Sequence, residues 1–228
     1  MDKITKVRSI TLWIFIIPLI TINICLIIVI HFQEWLALGD GIGPTIPYID
    51  GGTSISRTAR VFPTYFIFKP AMFFTSYLLI KYWLFNKEII SYFDKNHKHI
   101  KKIVFFGIAS AIFLTLHSIF LGIKFDNDFY KLFRRIIILC FIIFEIVAQT
   151  LLVIALFKIK NKISEIINSK VLILKSILVS SLVIIAFASL PIITTSGHTL
   201  FKHALEWNYF AAILLFYLLT FLFWKKRP

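Results

Sequence analysis

The sequence predicts an all-α, polytopic membrane protein, a single domain over residues 1–228 folded as a bundle of six transmembrane helices with both termini cytoplasmic. Three observations predict it. Hydrophobic residues make up 59% of the chain, 25 of the 228 residues are Phe, and only 16% are charged. A soluble domain is roughly 45–50% apolar and about 25% charged, so a water-soluble globule is excluded, and with it a disordered tail or a disulfide-rich secreted module. Six apolar windows run over about 12–31, 64–85, 103–123, 136–157, 171–194 and 208–224. Each matches or approaches the roughly 20 helical residues that cross a hydrocarbon core about 30 Å thick. Finally, the basic residues are sorted by side. With the N-terminus inside, 17 of the 25 Lys and Arg fall on the cytoplasmic face, which is the positive-inside bias.

The first window, 12–31, ends at His31-Phe32-Gln33 with no small-residue cleavage site, so it reads as a span and not a removed signal peptide. The longest connection, 32–63, lies outside and carries Gly39, Gly41, Gly43, Pro44, Pro47, Gly51 and Gly52. Its backbone turns repeatedly, and it shows no helical pattern. The second span, 64–85, leads to the cytoplasmic polybasic run Lys95-Asn96-His97-Lys98-His99-Ile100-Lys101-Lys102, whose imidazoles are expected in solvent. The third and fourth spans carry His117 and Glu145, ionisable groups that cost free energy inside a bilayer. Cys25 and Cys140 fall within spans and read as small packing residues. The fifth and sixth spans close the bundle. The chain ends in Lys225-Lys226-Arg227-Pro228, a positive stop that in a eukaryotic cell resembles a dilysine retrieval signal.

Sorting the charge also disposes of nucleic acid as a partner. The net +14 divides into about +13 inside and about +2 outside, with Glu145 in the membrane. Topology accounts for the excess.

At the outer loop the chain resembles a known family. Pro44-Thr45-Ile46-Pro47-Tyr48-Ile49-Asp50-Gly51-Gly52-Thr53 is similar to the P-x-x-P-Y-I-S-D-x-G-T signature of the Frag/DRAM/Sfk membrane proteins. The segment from Ala204-Leu205-Glu206-Trp207 to Phe216-Tyr217-Leu218-Leu219-Thr220-Phe221 is similar to that family's ending. Asp50 stands alone where the family has Ser-Asp, Ser54-Ile55-Ser56-Arg57 replaces Pro-Pro-Glu, and Arg134-Arg135 occupies the place of a His-Asp pair. The resemblance implies six spans, cytoplasmic termini and an association with membrane-lipid handling or remodelling of lipid anchors. It implies no defined catalytic mechanism.

Candidate residues fall in two groups. Within the membrane, Glu145 lies near mid-bilayer, with His117 and Lys69 within reach of the outer half: Glu145 can pair with one of them or stay protonated as a packing group, or form part of a lipid-headgroup or proton-handling site. Gln149 follows Glu145 by one helical turn. On the outer rim, His31/Glu34 and His203/Glu206 are each spaced i, i+3, and with Asp50, Asp40 and His198 they supply imidazoles and carboxylates. His31, His198 and His203 are the residues that could contribute to a metal site, though no metalloenzyme spacing is present and no metal or other cofactor is expected. The same groups, beside Trp35 and Trp207, suit anchoring at headgroup level. Asp50 can cap its own turn or meet a ligand. Arg57 and Arg60 can hold a phosphate or snorkel.

Lipid-contacting candidates are therefore Asp50, Arg57, Arg60, Lys69, Glu206 and Trp207, and catalytic candidates are His117, Glu145, His198, His203 and Glu206. The expected partners are membrane lipids, and a larger protein assembly is also compatible. The expected function is a non-catalytic or accessory role in lipid handling at the outer face. A lipid hydrolase or acyl-transfer enzyme is the first alternative, and a transporter or channel component the second. The expected location is a multi-pass position in an endomembrane of a eukaryote or the cytoplasmic membrane of a prokaryote.

Overall fold

A computed structural model describes residues 2–32, 42–95, 97–123 and 127–225. Glu34, Trp35, Asp40, Asp126 and the Lys226–Pro228 end, on which several expectations rested, lie outside the described residues. The chain is helical, with α1 (Asp2–His31), α2 (Ile55–Ala59), α3 (Thr64–Phe93), α4 (Ile100–Phe120), α5 (Asp128–Ile163), α6 (Ser169–Thr194) and α7 (Thr199–Phe223). Among the described residues the only β pairing is an isolated bridge between Ile167 and Trp224. Five helices are long and apolar enough to cross a membrane: α1, α4, α5, α6 and α7. That makes the chain compatible with a multi-pass integral membrane protein. The second window belongs to α3, which carries Lys69, Lys81, Lys87 and Glu88 within its 30 residues.

The helices run past the apolar windows because backbone hydrogen bonding does not stop where hydropathy does. Helix α5 extends eight residues before its window, from the Asn127 cap whose side chain accepts from the Phe129 N–H, and ends among Lys158, Lys160 and Lys162. Helix α7 begins nine residues early, at Thr199, because its first turns dock on the outer loop. Helix α4 stops short of the expected 123, since Gly122 turns the chain at φ +84°. The outer loop also holds an unexpected element. Ser54 caps the short helix α2 by accepting from the Arg57 N–H at 3.1 Å.

The six long helices form a closed ring in the order α1, α3, α4, α5, α6, α7 and back to α1, with α2 packed over α1, α3 and α7. One end of the ring gathers Lys3–Glu88 at 2.6 Å and Lys158–Asp94 at 3.1 Å. There Arg8 also donates to the Phe221 carbonyl and lies over its ring. The outer loop closes the opposite end.

The lower core is aromatic. Tyr82, Trp83, Phe216, Tyr217, Phe223 and Trp224 are all buried. Gly107 lets α4 approach the Trp83 indole so closely that a Cβ there would stand 2.3 Å from the ring. Cys25 is buried and both cysteines are free thiols, with Cys25 Sγ 3.6 Å from the Thr64 carbonyl.

Two basic groups are buried: Lys175 of α6, and His97, whose imidazole was expected in solvent. Lys175 is completely buried, where Nζ donates to Thr220 Oγ1 at 2.8 Å and lies 4.0 Å from the Phe216 ring centre. Its four-carbon stem spans the α6–α7 interface, and the Phe216 and Phe223 rings face its amino group. His97 is only 5% exposed because the turn between α3 and α4 folds back, so that its Nδ1 accepts the His99 N–H at 3.2 Å.

Candidate functional site

The two segments that carry the family resemblance meet in space. Asp50 closes its own turn: its carboxylate accepts from the Thr45 hydroxyl, from the Ile46 N–H at 2.8 Å and from the Gly52 N–H at 2.8 Å. These donors hold the Asp50 carboxyl below the usual carboxylate range, the Thr45 bond being the largest cause. Gly51 sits at φ +64° and its Cα passes so near α7 that a Cβ would lie 1.7 Å from the Leu200 carbonyl oxygen. No other residue type fits that crossing.

The first turns of α7 then clasp the loop. His203 Nδ1–H donates to Gly51 O at 3.0 Å, Trp207 Nε1–H to Thr53 O at 2.8 Å, and Asn208 Nδ2–H to Tyr48 O at 2.8 Å. The Tyr48 ring meets Trp207 edge-on at 4.9 Å, and the Tyr48 hydroxyl is shared with Asn23 of α1. Burial, partly offset by Asn23, raises the Tyr48 pKa.

Glu206, one turn after His203, faces the start of α2, where the Ser56 and Ile55 N–H groups point at its carboxylate. Those N–H groups have no intrahelical partner, so Glu206 supplies the acid that the first turn of α2 lacks in its own sequence.

Beneath this seam the ring holds a cavity of about 70 Å³. Its walls come from single faces of five long helices and from Ile55 of α2. Helix α7 contributes Glu206, Phe210, Ile213, Leu214 and Tyr217, and α3 contributes Phe68, Met72, Thr75 and Leu79. Each set spans twelve residues, eleven rises of 1.5 Å, which makes the cavity about 16 Å long. His117 and Glu206 line its outer part, and Glu145 and Tyr217 its deep end. Everything else on the wall except Thr75 is apolar. Helix α6 contributes nothing to it.

Glu145 is completely buried. Ser110 Oγ–H donates to Oε2 at 2.6 Å, Gln149 Nε2–H to Oε1 at 3.1 Å, and the Tyr217 hydroxyl to Oε1. The pairing with Lys69 or His117 is absent. Lys69 is half-buried and donates to the Ile119 carbonyl at 3.4 Å, because the outer half of α3 turns that side chain to the rim of α4. His117 is 7% exposed, and among the described residues its imidazole has no hydrogen-bond partner. The i, i+4 spacing of Glu145 and Gln149 made one of these bonds legible. Ser110 and Tyr217 come from other helices and carry no signal in sequence.

The remaining candidates sit apart from the cavity. His31 is exposed at the end of α1, and His198 is exposed with its backbone at φ 53° just before α7. Arg60 lies on the rim, where burial first, then Arg134 and Arg57, lower its pKa. Among the described residues no group of three or more His, Cys, Asp or Glu could hold a metal ion. No family model, curated protein or solved structure matches the chain.

Proposed function

We propose that this chain is a six-span integral membrane protein of the Frag/DRAM/Sfk type, with both termini cytoplasmic, that holds a membrane lipid or similarly apolar ligand beneath its outer loop. It acts as a binding protein or accessory subunit, not as a catalyst. The observation that carries this reading is the long apolar cavity with a few ionisable groups, roofed by the loop–α7 seam. Three features support its details. Helix α3 occupies a place in the ring between α1 and α4 and is about 45 Å long at 1.5 Å per residue, enough for the sixth span. The two family-like segments are hydrogen-bonded to each other. His117, Glu206 and Glu145 are strung along the cavity instead of gathered at one point, which suits binding better than hydrolysis.

The test is lipid retention. Purified protein released from mild detergent in a mass spectrometer should carry a bound lipid, and Ile142→Trp, which fills the cavity, should lose it. Equal retention by both proteins, or none by either, sinks the reading.

A further inference from the structure

On the reading of the chain as a six-span membrane protein, the apolar belt around its helices fixes where the ends of the ring lie in the bilayer. On α6, exposed apolar residues run from Ile173 through Ile177, Ile184, Phe187 and Leu190 to Ile193. Those twenty rises of 1.5 Å make about 30 Å, the thickness of a hydrocarbon core. Exposed Lys170 lies just before the stretch, and exposed Thr194, Thr195 and Ser196 lie just after it. Helix α7 returns antiparallel from the same floor, since Ile167 bridges to Trp224 and the Asn168 N–H donates to Phe223 O at 2.8 Å. Counted from Ser169 and from Phe223, Ile193 and Leu200 are almost equally far along their helices. Both therefore stand at about the same height, the loop-side edge of the belt.

The 46–50 turn is held at that edge. Gly51 passes directly against the Leu200 carbonyl, and its own carbonyl accepts from His203. The turn has two faces. Pro47 is buried and the Tyr48 ring packs on Trp207. Ile46 and Ile49, one turn apart, point the other way and are 61% and 80% exposed.

The polar groups of this turn are satisfied from within. The Ile49 and Asp50 N–H groups donate to Ile46 O, and the Gly51 N–H donates to Pro47 O. The Asp50 carboxylate takes the Ile46 and Gly52 N–H groups. Backbone satisfied in this way approaches hydrocarbon at low cost, which open loop backbone does not.

We infer that the 46–50 turn is seated in the bilayer interface, with Ile46 and Ile49 inserted among the acyl chains at the loop-side edge of the belt. The partner of this apolar tip is the protein's own membrane. Where α3 begins, the exposed Phe62 and Phe66 rings, 6.1 Å apart, add a second apolar contact of the same loop. The roof over the cavity then belongs to the membrane surface and is not a soluble cap standing above it.

The experiment uses the full chain with Cys25→Ser and Cys140→Ser, one added cysteine at a time carrying a nitroxide spin label, in phosphatidylcholine liposomes. Ile46→Cys and Ile49→Cys are read against Ile185→Cys within the α6 belt and Ser196→Cys beyond its edge. All four side chains are exposed, so the labels leave the packing in place. The measured quantity is relaxation by oxygen, which concentrates in hydrocarbon, divided by relaxation by a water-soluble nickel chelate. That ratio should be several-fold higher at Ile46 and Ile49 than at Ser196, as it should be at Ile185.

A ratio at either isoleucine equal to that at Ser196 overturns the inference and leaves the six-span reading standing. Exclusion of both reagents from either position also overturns it, since the tip would then be covered by another protein or a second copy. A ratio at Ile185 equal to that at Ser196 overturns the reading and the inference together.

Discussion

The seam between the outer loop and α7, and the cavity directly below it, share the same turns of one helix but treat polar groups in opposite ways. In the seam, His203, Trp207 and Asn208 each end on a loop carbonyl, and Asp50 absorbs the donors of its own turn. One residue from Trp207, Glu206 looks into a cavity where, among the described residues, the His117 imidazole has no hydrogen-bond partner. Polar atoms that find backbone partners rigidify a fold. Those that do not are the ones left for a ligand. The difference separates residues that hold the roof in place from those that present chemistry beneath it.

Removing the seam is expected to have the largest effect. Trp207→Ala takes away a fully buried indole and leaves the Thr53 carbonyl without its donor, at a cost of about 3–5 kcal/mol. Thermal unfolding in detergent should show the corresponding drop. A change below about 1 kcal/mol would mean that the roof is held by something other than this clasp.

The deep end of the cavity gives an intermediate effect. Glu145→Ala leaves the Tyr217 hydroxyl without its acceptor, at about 1–3 kcal/mol, while Ser110 keeps the Gly107 carbonyl at 2.8 Å and Gln149 the Ile213 carbonyl at 3.5 Å. Glu145→Gln keeps an acceptor oxygen and should cost clearly less in the same assay. Equal losses would show that charge, not hydrogen bonding, matters at Glu145.

The smallest effect belongs to the exposed turn. The Asp50 carboxyl is lowered in the folded loop, so its contribution is present above the ordinary carboxylate pKa and is lost as pH falls through the lowered value. Hydrogen-exchange protection of the Ile46 and Gly52 amides should therefore hold at neutral pH and fall away below about pH 4. Asp50→Asn should abolish that pH dependence. Protection that ignores both acid and substitution breaks the contrast, because the turn would then not depend on its carboxylate.

Much of this was visible in the residues themselves. The all-helical class followed from hydropathy, and Gly51 and Asp50 could be read as a turn because glycine supplies positive φ and aspartate bonds two residues on. Gln149 could be placed beside Glu145 by helical spacing alone. The burial of Lys175 and His97 could not be anticipated. Lysine near a helix end reads as interfacial, and only the position of Thr220 and Phe216 on a neighbouring helix makes a buried place for it. The short helix α2 escaped notice because five residues show no periodicity.

By itself the sequence determined the helical class of this protein, its strongly apolar character and the local turn chemistry, since transfer free energy and backbone preference act over a few consecutive residues. Tertiary structure alone decided which polar groups are paired and which are free. Ser110 and Tyr217 reach Glu145 from 35 and 72 positions away, and His203 reaches Gly51 from 152. Those distances are closed by ring order and helix rotation, which depend on packing summed over all six long helices. The cavity exists only once that packing is complete.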